Sequence, residues 1–203
     1  GIVLTIWSGD GSAVEVTRRQ PMKLAAMEAL FDGSKGAPLV AFGIINPDKT
    51  LENNEKPILA EISIPKGLSV LAYHDADAYV AGINDLIKGV ALDANGDTIN
   101  TVSYAERIVR GKAVQQALRD YGAAMNAGDT AAMAVARKAI DADFKYFGYG
   151  YLDSPYEAVP PVALTYYSFH IMVAGGGYLL IFYIAMLLLV CRKPGDMKSG
   201  WVV

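Results

Sequence analysis

A segment near the N-terminus carries one basic and one acidic side chain on either side of an apolar helical face. It reads Gln20-Pro21-Met22-Lys23-Leu24-Ala25-Ala26-Met27-Glu28. If the helix continues to Phe31, then Leu24, Met27, Leu30 and Phe31 form one apolar stripe along it. On a helix, Lys23 and Glu28 lie about 140° apart and about 7.5 Å apart along the axis, so they flank this surface and do not pair. Such a surface suits an amphipathic redox ring, because the carboxylate can accept a ring proton and the ammonium can stabilise a partly anionic ring oxygen. An amphipathic surface helix with both charges in water is the simpler interpretation of the same residues.

Two other candidates, His170 and Met172, lie at the start of an apolar segment near the C-terminus. An ionisable side chain at membrane depth marks a candidate functional site, although a histidine near the interface is tolerated at little cost. Methionine is usually a packing residue there, but its thioether is also a soft axial ligand for haem iron. Because residues two apart on a helix are about 200° apart, these two side chains cannot ligate one iron. A haem bound by Met172 needs its second ligand from a different helix.

The apolar segment has the length of a transmembrane helix. No side chain in residues 171–191 carries a charge, and about 20 such residues cross a hydrocarbon core of about 30 Å. A buried core helix, the alternative, usually has interspersed polar positions. Within the segment, Gly175-Gly176-Gly177 either leaves room for a neighbouring helix or a flat macrocycle, or marks a packing kink. Aromatic residues near the two ends suit interfacial anchors; they are Tyr166, Tyr167 and Trp201.

The charge pattern around this helix predicts its orientation. Three basic residues and one acidic residue follow it, whereas the rest of the chain is acidic overall. Short basic flanks stay on the cytoplasmic side of a membrane. The C-terminal tail is therefore expected in the cytoplasm, and the large remaining domain outside.

The composition excludes several function classes. The chain has 203 residues, of which 53% are hydrophobic and 19% charged, and its net charge is -3. Nucleic-acid binders normally show a basic stripe, so no nucleic-acid partner is expected. A single cysteine, Cys191, is incompatible with a disulfide framework or a CxxC motif, and two histidines are too few for a self-contained zinc site.

Outside the membrane, local signals predict a mixed domain of helices, turns and short strands. Asp10-Gly11-Ser12 indicates a loop after an apolar N-terminal stub, and Pro21–Phe31 indicates a short helix stopped by Gly33. Residues 33–100 are rich in turn-forming residues and contain short apolar runs such as Leu39–Ile45 and Ile58–Ile64, so loops with a few short strands or turns are expected there.

A helical hairpin is predicted in the second half of this domain. Ser103 and Glu106 have the capping-box spacing at the start of a helix that runs to about Asn126. The break at Ala127-Gly128-Asp129 precedes a second amphipathic helix. The two helices are expected to lie side by side.

The expected fold class is mainly α: a polytopic membrane protein fragment with one complete transmembrane helix. Residues 1–7 are expected to end a preceding transmembrane helix, although they also have the length of a strand. Residues 8–160 form the mixed loop and helical extracytoplasmic domain, 161–191 the transmembrane helix and 192–203 the cytoplasmic tail. Because the chain opens with Gly1, we expect it to be an internal piece of a longer protein.

Three motifs follow one another along the chain. They are SGD at residues 8–10, QP-x-KLAA-x-E at 20–28 and PP-x-ALTYYSFHIMV at 160–173. In this order they resemble subunit I of the cytochrome bd quinol oxidases. The resemblance covers essentially the whole chain: the end of one membrane helix, an extracytoplasmic quinol-binding loop, the next membrane helix and a short tail.

The resemblance implies roles for the four candidate residues. Lys23 and Glu28 match the lysine and glutamate that interact with quinol. Met172 matches the methionine that ligates the low-spin haem b, opposite a histidine of a preceding helix. His170 stands near that haem where many members have an arginine, which replaces a permanent cation with a titratable one. The high-spin haem b and the haem d, where oxygen is reduced, would be held by residues outside this chain.

The resemblance further implies a respiratory quinol:oxygen oxidoreductase. The intact protein would oxidise membrane quinol at the outer face and pass electrons through haem b to the oxygen-reducing haems, whereas the chain alone is not expected to be active. It would cross the bacterial cytoplasmic (inner) membrane several times, with residues 8–160 facing the periplasm or exterior. Its expected partners are the quinol, the lipid bilayer, subunit II and small accessory subunits.

A second function class is open on the residues alone. The chain could be an extracytoplasmic sensor or ligand-binding domain that is anchored by a single membrane helix. In that interpretation, Met172 and His170 are only packing residues.

Overall fold

Helices make up most of the computed structural model, which describes residues 2–92 and 98–192. The α-helices are α1 (Ile2–Arg19), α2 (Pro21–Met27), α3 (Gly67–Tyr73), α4 (Ile83–Lys88), α5 (Tyr104–Ala127), α6 (Thr130–Asp143) and α7 (Val162–Arg192). The strands are β1 (Ser34–Lys35), β2 (Leu39–Ile45), β3 (Ile58–Ile64), β4 (Tyr79–Val80), β5 (Val90–Leu92) and β6 (Thr98–Asn100). Two 3-10 helices, Phe144–Tyr151 and Pro155–Ala158, lie between α6 and α7. The prediction of a mainly α chain is confirmed.

The helix α7 is long and apolar enough to span a membrane. It has 31 residues and belongs to the apolar stretch Pro155–Cys191. None of its apolar window is buried within the chain, whereas the core helix of a soluble protein is mostly buried. The length and composition of α7 thus agree with the transmembrane helix predicted at 161–191, while the tail beyond Arg192 lies outside the described residues.

The helix α1 runs without interruption through residues 10–12, so the loop predicted there is wrong. Its last turns are fixed by packing: Val16 contacts a core cluster, and Thr17 is buried with its hydroxyl donating to the Ala13 carbonyl at 2.8 Å. A glycine in a helix costs only about 1 kcal/mol relative to alanine. Anchoring of the C-terminal end outweighs the weak breaking signal of Gly9 and Gly11.

The strands β2 and β3 coincide with the two short apolar runs of this region and form an antiparallel hairpin. Its register pairs Leu39 with Ile64 at one end and Ile45 with Ile58 at the other. The remaining strands form two short antiparallel pairs, β1 with β4 and β5 with β6. The β2–β3 hairpin is the part of the sheet structure that contacts α7.

The helices α5 and α6 form the predicted hairpin, and side chains cap both of them. The Ser103 hydroxyl accepts from the Glu106 N–H at 3.2 Å, but the Glu106 carboxylate pairs with Arg110, so only half of the predicted capping box forms. Gly128 ends α5 in the left-handed region at φ 69°. The Asp129 carboxylate accepts from a backbone N–H in the first turn of α6 at 3.0 Å.

We predict that Gly111→Ala destabilises the protein where α5 meets the first 3-10 helix. A Cβ at Gly111 would lie 2.5 Å from the Tyr146 carbonyl oxygen and against the backbone of Gly150. Overpacking of this kind costs about 1–3 kcal/mol, which should lower the thermal unfolding midpoint of the intact protein. The matched control is Gly122→Ala on the same helix, where no such contact exists; it should be neutral or stabilising by up to about 1 kcal/mol. Equal midpoints for the two variants would contradict the prediction.

Three small apolar clusters meet around α2. Each cluster contains at least one residue from α2 or from the turn that follows it. These residues are Leu24 in the first cluster, Met22 and Ala25 in the second and Ala29 in the third. The third cluster joins Ala29 to Val40 of β2 and Tyr166 of α7. The core therefore fixes α2 relative to the start of α7.

Candidate functional site

The helix α2 is buried on most of its surface, so the predicted amphipathic surface helix is wrong. It ends at Met27, and two residues of the expected ligand-facing stripe, Leu24 and Phe31, are 5% and 6% exposed and belong to the core. Of its two charged candidates, Lys23 is exposed and Glu28 is only 3% exposed. Helical periodicity could not reveal this because the covering residues come from distant parts of the chain.

Glu28 lies where the backbone turns sharply out of α2. It is the C-cap residue of the helix, and the next residue, Ala29, has a left-handed conformation with φ 50°. This turn directs the chain toward β1 and leaves the carboxylate inside the protein. Among the described residues, neither carboxylate oxygen has a hydrogen-bond partner.

Burial raises the pKa of the Glu28 carboxyl from 4.5 to about 7, because water no longer solvates its charged form. The nearby His170 and the backbone of Val40 lower this pKa. Because neither Glu28 carboxylate oxygen has a hydrogen-bond partner, the contact with the Val40 backbone is not a hydrogen bond. The loss of solvation therefore outweighs the two effects that lower the pKa. A carboxyl with a pKa near 7 can both accept and release a proton at neutral pH.

Side chains at the start of α7 attach this helix to β2. A ring nitrogen of His170, Nε2, lies 2.7 Å from the Val40 carbonyl oxygen, and the Tyr167 hydroxyl accepts from the Ile45 N–H at 3.0 Å. Tyr166 packs between them, with its ring stacked on His170 at a centroid distance of 3.9 Å. The buried carboxyl of Glu28 is thus close to the helix that carries Met172.

Both ring nitrogens of His170 are engaged by carbonyl oxygens. Nδ1 lies 2.9 Å from the Tyr166 carbonyl, while Nε2 faces Val40. A carbonyl oxygen only accepts, so the imidazole donates to both partners only when both nitrogens carry a proton. A nitrogen engaged in this way is not available to a metal.

Lys23 lines a different space from Glu28. It borders an open cleft of about 420 Å³, here called the cationic cleft, whose charged and aromatic lining residues are Arg19, Lys23, Tyr104, Arg107 and Tyr149. Glu28 does not line this cleft. The structure therefore does not bring the two predicted site residues together, and no ion pair joins them within the described residues.

The Met172 side chain is available on the surface of α7. It is 65% exposed, and the helix around Gly175, Gly176 and Gly177 has no other part of the chain within 4 Å of a would-be Cβ. A thioether beside a stretch of helix without side chains fits one axial position of a haem. In the described part of the chain, no cluster of three or more histidine, cysteine or acidic residues could hold a metal ion.

The sequence did not predict the positions of two residues at these sites, Tyr166 and Arg107. Tyr166 was predicted to be an interfacial anchor, but it is 1% exposed and packs against Ala29 and Val40. The sequence offered one sign of this position, because residues four apart, such as Tyr166 and His170, lie on the same face of a helix. Arg107 could be recognised only from the fold, because it reaches the cationic cleft from α5.

Comparison with known proteins decides the family. A family model described as cytochrome bd terminal oxidase subunit I matches residues 1–203. The chain belongs to this family. This result confirms the resemblance found in the sequence and favours a terminal oxidase over the single-helix sensor.

Two relatives in the cytochrome bd family illustrate how much of such a subunit the chain represents. It is 27% identical over 220 residues to the cytochrome bd-II ubiquinol oxidase subunit 1 of Escherichia coli (strain K12), covering 100% of this chain and 38% of the relative. It is 38% identical over 82 residues to a Bacillus subtilis (strain 168) protein provisionally named a cytochrome bd menaquinol oxidase subunit I, covering 40% of this chain and 17% of the relative. The chain thus spans well under half the length of these cytochrome bd relatives.

Proposed function

We propose that this chain is the quinol-oxidising part of a cytochrome bd oxidase, with Glu28 as proton acceptor and Met172 as an axial ligand of the low-spin haem b. One observation carries the proposal: a buried carboxyl with a pKa near 7 lies close to Tyr166 and His170 at the start of the helix that carries Met172. Quinol as the substrate class is supported by the names of both relatives, of which one is a ubiquinol oxidase subunit and the other a menaquinol oxidase subunit.

Oxidation of a quinol releases two protons with two electrons, so the site needs a base near the ring hydroxyl. Glu28 supplies this base, because about half of its carboxyl groups are ionised at pH 7. The desolvated carboxylate is more basic than an exposed one and therefore takes up a proton more readily. Lys23 is proposed to stabilise negative charge on a quinol ring oxygen, from the side of α2 that borders the cationic cleft, whereas Glu28 lies outside that cleft.

The chain offers one residue for the haem and several that position it. A haem b bound through Met172 would supply a one-electron acceptor. The glycines at 175–177 permit close approach of a flat group, and His170 lies two positions from Met172 with its ring nitrogens facing two carbonyl oxygens. The attachment of α7 to β2 sets the position of Met172 relative to Glu28.

The remaining parts of the enzyme are proposed to lie outside these residues. They are the histidine ligand of haem b, the high-spin haem b and haem d, subunit II and small accessory subunits. The whole subunit is proposed to cross the bacterial inner membrane several times, with residues 1–7 ending one helix, 8–160 outside, 161–191 crossing and 192–203 in the cytoplasm.

The proposal is tested on the intact subunit purified with its partner subunit. With a short-chain ubiquinol or menaquinol as electron donor, the complex should consume oxygen, and its reduced-minus-oxidised spectrum should contain low-spin haem b. A complex that contains haem but oxidises neither quinol would contradict the proposal.

We predict that Lys23→Gln lowers kcat/KM for quinol about tenfold in the intact enzyme. A buried oxyanion donor contributes about 100- to 1000-fold to catalysis, and the effect of an exposed ammonium is smaller because water screens its charge. The measurement is steady-state quinol oxidation across a range of quinol concentrations. Lys35→Gln, which removes an exposed charge from β1 outside the cleft, should leave kcat/KM unchanged, and an equal loss in both variants would contradict the role of Lys23.

A further inference from the structure

The Tyr166 hydroxyl is a buried polar group that plays no part in the proposed function. Tyr166 is 1% exposed, and its hydroxyl oxygen has no hydrogen-bond partner in the ranges that the structure describes. Such a hydroxyl destabilises a protein, because it has given up its hydrogen bonds to water. Phenylalanine would fill the same space without this cost. The hydroxyl therefore indicates a chemical role for this side chain.

Two carboxylates lie close to this hydroxyl, one buried and one exposed. They belong to Glu28 and to Glu61 of β3. Glu28 shares the surroundings of the tyrosine, because the adjacent Ala29 and the nearby Val40 belong to the same apolar cluster as Tyr166. The hydroxyl oxygen and both Glu28 carboxylate oxygens are thus three polar atoms without a partner in the described structure, and they are gathered in one buried region.

The β2–β3 hairpin brings the Tyr166 hydroxyl and Glu61 to the same face of its sheet. A Cβ at Gly43 would lie 2.5 Å from the Tyr166 hydroxyl oxygen, so this oxygen occupies the space where a side chain of β2 would stand. Gly43 pairs with Glu61 across the hairpin. Directly opposite residues of an antiparallel pair project from one face, with Cβ positions about 4.5–5.5 Å apart. The Glu61 carboxylate is therefore within reach of the hydroxyl, and it is also exposed to water.

We propose that Tyr166 and Glu61 carry the quinol proton from Glu28 to the aqueous phase. Glu28 takes this proton as the quinol O–H bond breaks, while the electron leaves separately to haem b. The protonated carboxyl then donates to the Tyr166 oxygen as the Tyr166 O–H gives its own proton to Glu61, which releases it to water. The tyrosine is unchanged by each transfer, since a hydroxyl is both donor and acceptor, and Glu28 is again ionised for the second proton. The inference rests on the proposed function, because Glu28 is its starting point.

The route joins groups that are close to one another but not directly hydrogen-bonded. A water molecule bridges buried polar groups at such spacing when it has two or more polar partners, and the Glu28 oxygens and the Tyr166 hydroxyl provide them. The other titratable groups that face Tyr166 are His170 and Tyr167. Both are engaged elsewhere: the His170 ring nitrogens face carbonyl oxygens, and the Tyr167 hydroxyl accepts from the Ile45 N–H.

Stopped-flow measurements on the intact complex test the route. The oxidised complex is mixed with a short-chain quinol in the absence of oxygen, haem b reduction is followed by absorbance, and proton release is followed by a pH-indicator dye in weak buffer. In the wild type, proton release should keep pace with haem b reduction. Tyr166→Phe and Glu61→Gln should retain the first phase of haem b reduction but release protons about tenfold more slowly. This factor is below the 100- to 10,000-fold of a general base, because water replaces part of a relay.

Matched controls remove a hydroxyl and a carboxylate elsewhere. Tyr183→Phe changes an exposed tyrosine of α7, and Glu55→Gln changes an exposed residue of the loop between β2 and β3. Both variants should release protons as the wild type does. The thermal unfolding midpoint separates a relay from packing, since Tyr166→Phe removes a polar atom without a partner in the described structure and should leave the midpoint equal or higher.

Three outcomes would overturn the proposal in different ways. Proton release at the wild-type rate in Tyr166→Phe would exclude the hydroxyl from the route, and the same result in Glu61→Gln alone would exclude the exit through that residue. A lower unfolding midpoint with slower haem b reduction in Tyr166→Phe would show that the hydroxyl supports the fold. In each case the wild type still reduces haem b with quinol, whereas failure of the proposed function would abolish this reduction in the wild type itself.

Discussion

Replacing Met172 with leucine in the full-length protein is expected to remove the absorbance of low-spin haem b and to lower quinol oxidation more than about 100-fold. Leucine has a similar volume but no sulfur, so the helix can form while the proposed axial bond cannot. Even residues that only support a metal ligand cost about 10- to 100-fold when they are changed, and loss of the ligand itself should cost more. The measurements are the reduced-minus-oxidised spectrum and oxygen uptake with quinol.

The matched control for this prediction lies on the same helix. Met186 follows Met172 by 14 residues, which places it on nearly the same helical face but about 21 Å deeper along α7. Met186→Leu should retain the haem b spectrum and turnover. If Met172→Leu also retains the spectrum, Met172 is not a ligand and the proposed electron acceptor of this chain is wrong.

The second large effect is expected at Glu28. Glu28→Gln keeps the shape of the side chain but cannot accept a proton, and loss of a general base typically lowers kcat by a factor of about 100 to 10,000. The haem b spectrum should be unchanged, because Glu28 is not proposed to contact iron. The control is Glu55→Gln, an exposed residue of the loop between β2 and β3, which should retain full turnover.

The pH dependence gives a sharper test of the same residue. With a pKa of about 7, the wild-type carboxyl becomes protonated as the pH falls below 7, so quinol oxidation should decline on the acid side of this value. Glu28→Gln cannot titrate and should lose that acid limb. An acid limb of the same midpoint in both proteins would show that another group is responsible.

Stability should change with pH in the opposite sense to activity. The pKa of Glu28 is about 7 in the folded state and 4.5 in the reference state, so the carboxyl binds its proton more tightly when folded. Its contribution to stability is fully present below pH 4.5 and is lost as the pH rises through 7, an effect of about 3 kcal/mol. We therefore expect the thermal unfolding midpoint of the wild type, measured relative to that of Glu28→Gln, to be lower at pH 8 than at pH 5.

The elements predicted well are those whose signals are local. The uncharged run at 171–191 depends only on composition, and the α5–α6 hairpin is marked by Ser103, Gly128 and Asp129, which each cap the helix beside them. The strands β2 and β3 coincide with two short apolar runs between turn-forming residues, in a region that was expected to contain only a few short strands or turns. Each of these signals lies within a few residues of the structure that it specifies.

The candidate site was predicted in its residue types but not in its arrangement. Glu28 lies close to Val40 and Tyr166, which are distant from it in sequence, and the cationic cleft combines α2 with Arg107 of α5. Helical periodicity describes one helix in isolation and contains no information about such neighbours. For the same reason, the interruption predicted at Gly11 ignored the packing that fixes the other end of α1.

The hydrogen bonds between α7 and β2 use main-chain atoms of the strand. His170 and Tyr167 contact the Val40 carbonyl and the Ile45 N–H, and both groups are present whatever side chains the strand carries at these positions. Related subunits can therefore accumulate substitutions along this strand and still hold the helix at the same place. Sequence divergence in the hairpin is then a poor guide to how far the geometry of the site has drifted.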